Sequence, residues 1–199
     1  LQEGSAWQGN GLYVTPDDGE TWELVPGTGN ITRINRLVST RTNAEVFFTA
    51  NSGAPLRKYI YGGTVEAVSG YTGTGANVVE LSDDGNIMVV ANNVNRTFVS
   101  TDGGQTFVDR SGNQTGQISP GGVARIEYGI SKKKSDGTYS IYASTVNGGQ
   151  SNNQGQWISL NSGETWHRHT PATGANVGNG VIDFRNQGTW NNIVSFDPS

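Results

Sequence analysis

Short apolar runs recur along the whole chain, divided by clusters of Gly, Asn, Asp, Ser and Thr. In "RINRLVS" (33–39) apolar and polar positions alternate, the period of a strand with one covered face. "NIMVVAN" (86–92) is apolar without alternation, the pattern of a strand covered on both faces. Taken with the turn residues between them, the runs fall into groups of four. One group is "RINRLVS", "AEVFFTA", "RKYIYG" and "TVEAVS"; the next is "ANVVELS", "NIMVVAN", "RTFVS" and "QTFVD". A third is "ARIEYGI", "TYSIYAS", "QWISL" and "TWHRH". Ahead of them stand only "GLYV" and "TWELV", and after them only "GVIDF" and "WNNIVSF".

A four-stranded antiparallel meander of about 40 residues is the size of a β-propeller blade. The expected fold is therefore all-β, a β-propeller of four-stranded antiparallel blades. The approximate blades are 1–29 (partial), 30–75, 76–115, 116–175 and 176–199 (partial). The half-blades at the ends suggest a partial propeller of about four blades within a longer chain.

An octet recurs at 15–22 ("TPDDGETW"), 100–107 ("STDGGQTF") and 159–166 ("SLNSGETW"), each before the last strand of its group. Asp102 follows Asp17 by 85 residues and Asn161 follows Asp102 by 59. The first gap fits two blades, the corner of the second being degenerate at "YIYGGTVEAV". The second gap fits one blade lengthened by an insertion. A short Asp or Asn side chain accepts hydrogen bonds from backbone N–H groups left unpaired by a turn. The Ser or Thr hydroxyl does the same from the strand end. Gly supplies a positive φ, and the final aromatic ring is expected to bury between adjacent sheets.

These octets resemble the Asp-box, or bacterial neuraminidase repeat, of sialidases, xyloglucan-cleaving hydrolases, sortilin-type receptors and secreted bacterial propellers. On that resemblance Thr15, Asp17, Gly19, Thr21 and Trp22 form the first box, and Ser100, Asp102, Gly104, Thr106 and Phe107 the second. Ser159, Asn161, Gly163, Thr165 and Trp166 form the third, with an amide where the family has an acid. The resemblance implies a structural role for the boxes, with no catalytic residue, cofactor or metal among them. The third group is also similar in style to propellers of exported Bacteroidetes proteins, including those linked to type IX secretion, surface adhesion and gliding.

Charge narrows the function. The chain of 199 residues carries a net charge of −4 and no Lys/Arg stripe, which argues against nucleic acid. Lys132, Lys133 and Lys134 read as a solvated turn. There is no cysteine, hence no disulfide or thiolate metal site. No apolar run reaches the length of a membrane span, so no membrane insertion is expected.

Sialidase chemistry lacks its motifs, since "TRIN" and "ARIE" have no proline. A xyloglucanase-like glycosidase needs two convergent carboxylates. Asp83, Asp84, Asp109, Asp183 and Asp197 are candidates outside the boxes, each also explained as turn chemistry. His167 and His169 would share a strand face but lack a third ligand. The insertion 144–157 is polar and ends on an aromatic ring. Asn147, Gln150, Asn152, Asn153 and Trp157 are its candidate binding residues for a protein or glycan. The sequence thus points to a non-catalytic propeller, secreted or at the bacterial cell surface, acting as a scaffold or binding module. The alternative is a xyloglucanase-like glycoside hydrolase.

Overall fold

The structure, a computed structural model, describes residues 9–40, 44–51, 53–92, 96–119, 123–147 and 153–168. No helix occurs among them. The first sheet pairs β1 (Tyr13–Val14) with β2 (Glu23–Leu24). The second has β3 (Ile34–Ser39), β4 (Glu45–Ala50), β5 (Arg57–Ile60) and β6 (Glu66–Ala67), in that order. The third has β7 (Val78–Leu81), β8 (Met88–Ala91), β9 (Thr97–Ser100) and β10 (Val108–Asp109). The fourth has β11 (Val123–Ile130), β12 (Ile141–Asn147), β13 (Asn153–Ser159) and β14 (His167–Arg168). Every pairing within these sheets is antiparallel between sequence neighbours, so each sheet is a meander.

The sheets stack face to face, and strand periodicity decides which side chain enters which interface. In β8, Met88 and Val90 face the second sheet's cluster, while Val89 and Ala91 face the fourth's. In β4, Phe47 turns to the third sheet's side and Phe48 and Ala50 to the first sheet's. Middle strands covered on both faces need no polar positions, which explains the unbroken apolar runs. The last strand of each sheet is two residues long. Short outer strands limit the unpaired edge offered to other chains.

The first strands β3, β7 and β11 lie side by side and form the inner edge of the stack. An irregularity in pairing falls between Ile34 and Arg36 in β3, and again between Val123 and Arg125 in β11. A bulge inserts one unpaired residue and re-aims the next side chain. Both arginines of the inner edge follow such a bulge.

The insertion at 144–157 is less loop-like than its composition suggests. β12 runs on to Asn147 and β13 starts already at Asn153. Thr145 pairs with Gly155, and its Oγ1 donates to the Gly155 carbonyl at 2.9 Å. Cross-strand bonding thus carries the hairpin into polar sequence that has no hydrophobic alternation. The Lys132–Lys134 turn is also more than a solvated one: Lys134 Nζ donates to the Leu160 carbonyl at 2.7 Å.

Candidate functional site

The three octets fold alike. In the first, Gly19 N donates to Thr15 Oγ1 at 2.7 Å and Thr21 N to Asp17 Oδ1 at 2.8 Å. Thr15 and Thr21 hydroxyls donate to the two oxygens of Asp17, at 2.9 and 2.6 Å. The second repeats this set with Ser100, Asp102, Gly104 and Thr106, at 2.6 to 2.9 Å. In the third, Ser159 Oγ and Thr165 N donate to Asn161 Oδ1, both at 3.0 Å, and Gly163 N donates to Ser159 Oγ. There the amide reverses one bond: Asn161 Nδ2 donates to Thr165 Oγ1 at 2.9 Å. The Thr106 hydroxyl and backbone N–H hold the Asp102 carboxyl at about 2, well below the usual range. Asp17 is lowered in the same way by Thr21. Each carboxylate thus accepts three hydrogen bonds from its own corner.

Sequence reading assigned one positive-φ residue to each corner; the structure has two. Asp18 (φ 55°) precedes Gly19 (98°), Gly103 (69°) precedes Gly104 (90°), and Ser162 (60°) precedes Gly163 (85°). Glu20 N and Glu164 N then close turns to the Asp17 and Asn161 carbonyls, both at 3.2 Å. Two successive left-handed residues match the right-handed twist of the flanking strands. The sequence signal was present in "DDG" and "DGG", since Asp and Gly tolerate this region better than most residues, whereas Ser162 carried none.

The aromatic positions differ from expectation at one corner. Trp166 is 1% exposed, packed with Val89 and Val99 of the third sheet. Phe107 is partly buried and meets Tyr71 edge-on, ring centres 5.4 Å apart. Trp22, expected to bury between sheets, is 62% exposed. Each buried ring leans on the sheet before its own. Trp22 belongs to the first sheet and has none before it among the described residues.

A polar cluster that sequence reading missed sits on the inner edge. Arg36 Nη2 of β3 contacts Glu80 Oε2 of β7 at 2.5 Å, and its Nη1 lies 3.8 Å from Glu127 Oε2 of β11. Arg125 Nε donates to Glu127 Oε1 at 2.8 Å. Burial pushes the Glu80 carboxyl up, against the opposing pull of Arg36. Burial also disfavours the Arg36 cation, yet Glu80 and Glu127 leave its pKa raised. The available signal was the charge carried inside each first strand, Arg36 in β3, Glu80 in β7 and Arg125 with Glu127 in β11.

Among the described residues, the carboxylates chosen from sequence are each taken up by their own turn or ion pair or left exposed in one. Asp84 sits in the β7–β8 turn, accepting from Ser82 Oγ at 2.7 Å, Asn86 Nδ2 at 2.7 Å and the Tyr139 hydroxyl. Burial raises its pKa, but Tyr139, Ser82 and Asn86 outweigh that and hold it at about 2. Asp109 accepts from Ser111 N and pairs with Arg96. Asp83 is exposed in the same turn as Asp84. Asp183, Asp197 and His169 lie outside the described residues; His167 is exposed on β14.

Of the candidate binding residues, Asn147 and Asn153 end β12 and begin β13, and Gln150 and Asn152 lie outside the described residues. Trp157 is 9% exposed, and Arg168 lies over its ring, 5.5 Å from the centre. The structure brings Trp157 to a partner region that sequence reading did not name, the 111–118 connection from the third sheet to the fourth. This connection closes on itself through Gly112 N to the Ile118 carbonyl at 2.8 Å. It joins the fourth sheet through Trp166 N to the Gly116 carbonyl at 2.9 Å. A groove of about 440 Å3 results, lined by Asn113, Gln114, Gln117, Trp157, His167 and Arg168 among others.

Stacked four-stranded meanders with their first strands on a common inner edge define a β-propeller architecture. No family model matches the chain, and no curated protein does. Solved structures do. A chain of a nidogen/laminin complex is 13% identical with a TM-score of 0.54, covering 81% of this chain and 59% of that one. An ancestral GH74 enzyme is 15% identical with a TM-score of 0.52, covering 77% of this chain and 19% of its own. YCF48 bound to a D1 peptide is 15% identical with a TM-score of 0.46, covering 84% of this chain and 50% of its own. The chain therefore spans less than two thirds of each of these. At such identities the likeness speaks for the propeller fold alone.

Proposed function

We propose that the chain is a non-catalytic segment of a β-propeller, exported to the bacterial cell surface, where it serves as a scaffold and binding module for a protein or glycan. In this reading the three octets are Asp-box corner clasps. The observation that carries it is a contrast between two polar regions. The inner-edge carboxylates Glu80 and Glu127 are neutralised by Arg36 and Arg125, and Glu127 is only 5% exposed. The groove beside Trp157 is exposed, and its amides retain bonding capacity. In this reading function resides where exposed amides keep bonding capacity.

The second reading is a glycoside hydrolase of the xyloglucanase type. It is favoured by the way Glu80 and Glu127 approach one guanidinium from two strands. Against it, neither acid is free to accept or deliver a proton without breaking an ion pair. Two measurements decide. Incubation with xyloglucan should release no reducing ends, and release abolished by Glu127→Gln would overturn the non-catalytic reading. Binding to a glycan array, with surface labelling of the protein on intact cells of its source, should both be positive.

A further inference from the structure

We infer that the crevice between the outer strands of the second sheet and the 100–107 corner binds a neutral saccharide through two adjacent ring hydroxyls. The inference rests on the binding-module reading and gives it a second seat, apart from the groove beside Trp157.

The crevice follows from strand register. Phe47 of β4 pairs across to Lys58 of β5, and Lys58 to Glu66 of β6, so the three side chains stand in one row on one face. Phe47 is buried on the third sheet's side and forms an apolar floor. The opposite wall is the second corner, where Gly103 and Gly104 line the cavity without side chains. At the other two corners the place of Gly103 is held by Asp18 and Ser162. A cavity of about 400 Å3 results, within the range of small-ligand sites and large enough for one or two sugar rings.

The polar groups of this cavity are incompletely used. Lys58 Nζ lies 3.9 Å from Glu66 Oε2, an ion pair too long for a direct hydrogen bond. Among the described residues neither side chain makes a hydrogen bond, nor does the hydroxyl of Ser69, which lines the same cavity. A ligand hydroxyl placed between the charges accepts from the ammonium and donates to the carboxylate, at about 2.8 Å from each. Such charge-assisted bonds are the stronger kind. The next hydroxyl on the ring, again donor and acceptor at once, answers the Ser69 hydroxyl. A zwitterion would have to part Lys58 from Glu66 to pair with each. An uncharged hydroxyl bridges them where they stand.

Calorimetric titration with cellotriose, mannotriose and lactose tests the inference, with glycine as a zwitterionic probe and backbone amide resonances followed in parallel. At least one of the neutral sugars is expected to bind, with affinity nearly independent of salt, and to shift the Gly103 and Gly104 amides. Glycine is expected not to bind. Glu66→Gln should weaken the sugar about tenfold. Its ion pair is exposed, so the urea midpoint should hardly move. Gly103→Asn puts a side chain into the open wall, at a place where Asp18 of the first corner adopts φ 55°. That variant should keep the fold and weaken the sugar at least tenfold. Sugar binding that neither variant weakens would overturn the crevice as its seat and leave the binding module standing. Binding of glycine alone, or of no probe, would overturn the saccharide, while a positive glycan array would still uphold the module. Xyloglucan hydrolysis abolished by Glu127→Gln would bring down the module reading itself.

Discussion

The first and third corners have nearly the same polar wiring and opposite surroundings. Around Asp17 the hydrogen bonds close at 2.6 to 2.9 Å, with Trp22 open to solvent and empty space around Gly19. Around Asn161 the same contacts form with one bond reversed, but Trp166 is sealed in. A β-carbon on Gly163 would lie 2.8 Å from Val99 Cγ1. The turn therefore needs no neighbouring sheet to form, whereas the value of the final aromatic depends entirely on one. Local chemistry shapes the corner, and sheet stacking determines what the corner contributes to stability.

The largest test of that distinction is Trp166→Ala. Removing a ring buried among Val89, Ile118, Ile126 and Trp157 should cost about 3–5 kcal/mol in a urea melt. The same variant should remove most of the protection of the Trp166 N to Gly116 bond in hydrogen exchange, because that bond and the ring secure one joint.

Glycine separates the corners next. Both Gly19 and Gly163 have φ near +90°, so alanine at either costs about 1–2 kcal/mol for the left-handed backbone. At Gly163 overlap with Val99 and Ile141 adds to this, for about 2–4 kcal/mol in all. Equal losses at the two positions would break the comparison.

These contrasts show which parts of the molecule could be read in advance. Grouping into meanders was legible because apolar runs and turn residues encode strands locally, as "NIMVVAN" does for β8. The octets were legible because Asp, Gly and Thr act within a few residues of one another. Trp22 was misjudged because burial depends on a sheet distant in sequence. The Arg36–Glu80–Glu127 cluster was missed because three first strands meet only in the folded stack. The groove was half seen: Trp157 was visible as an aromatic in a polar stretch, but nothing local joins it to residues 113–117.

Acid offers a smaller test, since the second corner has a carboxylate where the third has an amide. With a folded pKa of about 2, Asp102 binds protons less readily than in the unfolded chain. Its contribution is complete above about pH 4 and is lost as pH falls from about 4 toward 2. Solvent exposure keeps this to about 0.2–1 kcal/mol. Asp102→Asn, adopting the Asn161 pattern, should remove that part of the acid loss seen in urea melts at pH 4 and 2.5. Asn161→Asp should add a similar acid loss at the third corner.

The smallest expected effect belongs to Trp22→Ala. An indole 62% exposed has little hydrophobic stabilisation to lose, and its corner is already closed by Thr15, Asp17, Gly19 and Thr21. The urea midpoint should therefore shift by less than about 0.5 kcal/mol equivalent. Trp22 fluorescence, isolated in a variant that keeps only this tryptophan, should be red-shifted and readily quenched by acrylamide. A loss of about 2 kcal/mol or more, or a blue-shifted emission, would mean that another sheet rests on this corner in solution. In that case the first and third corners would be equivalent, and Tyr13 and Leu24, exposed on the same two strands, would share the covered face. The near-neutral result instead keeps the clasp and the seat as separable properties of one eight-residue motif.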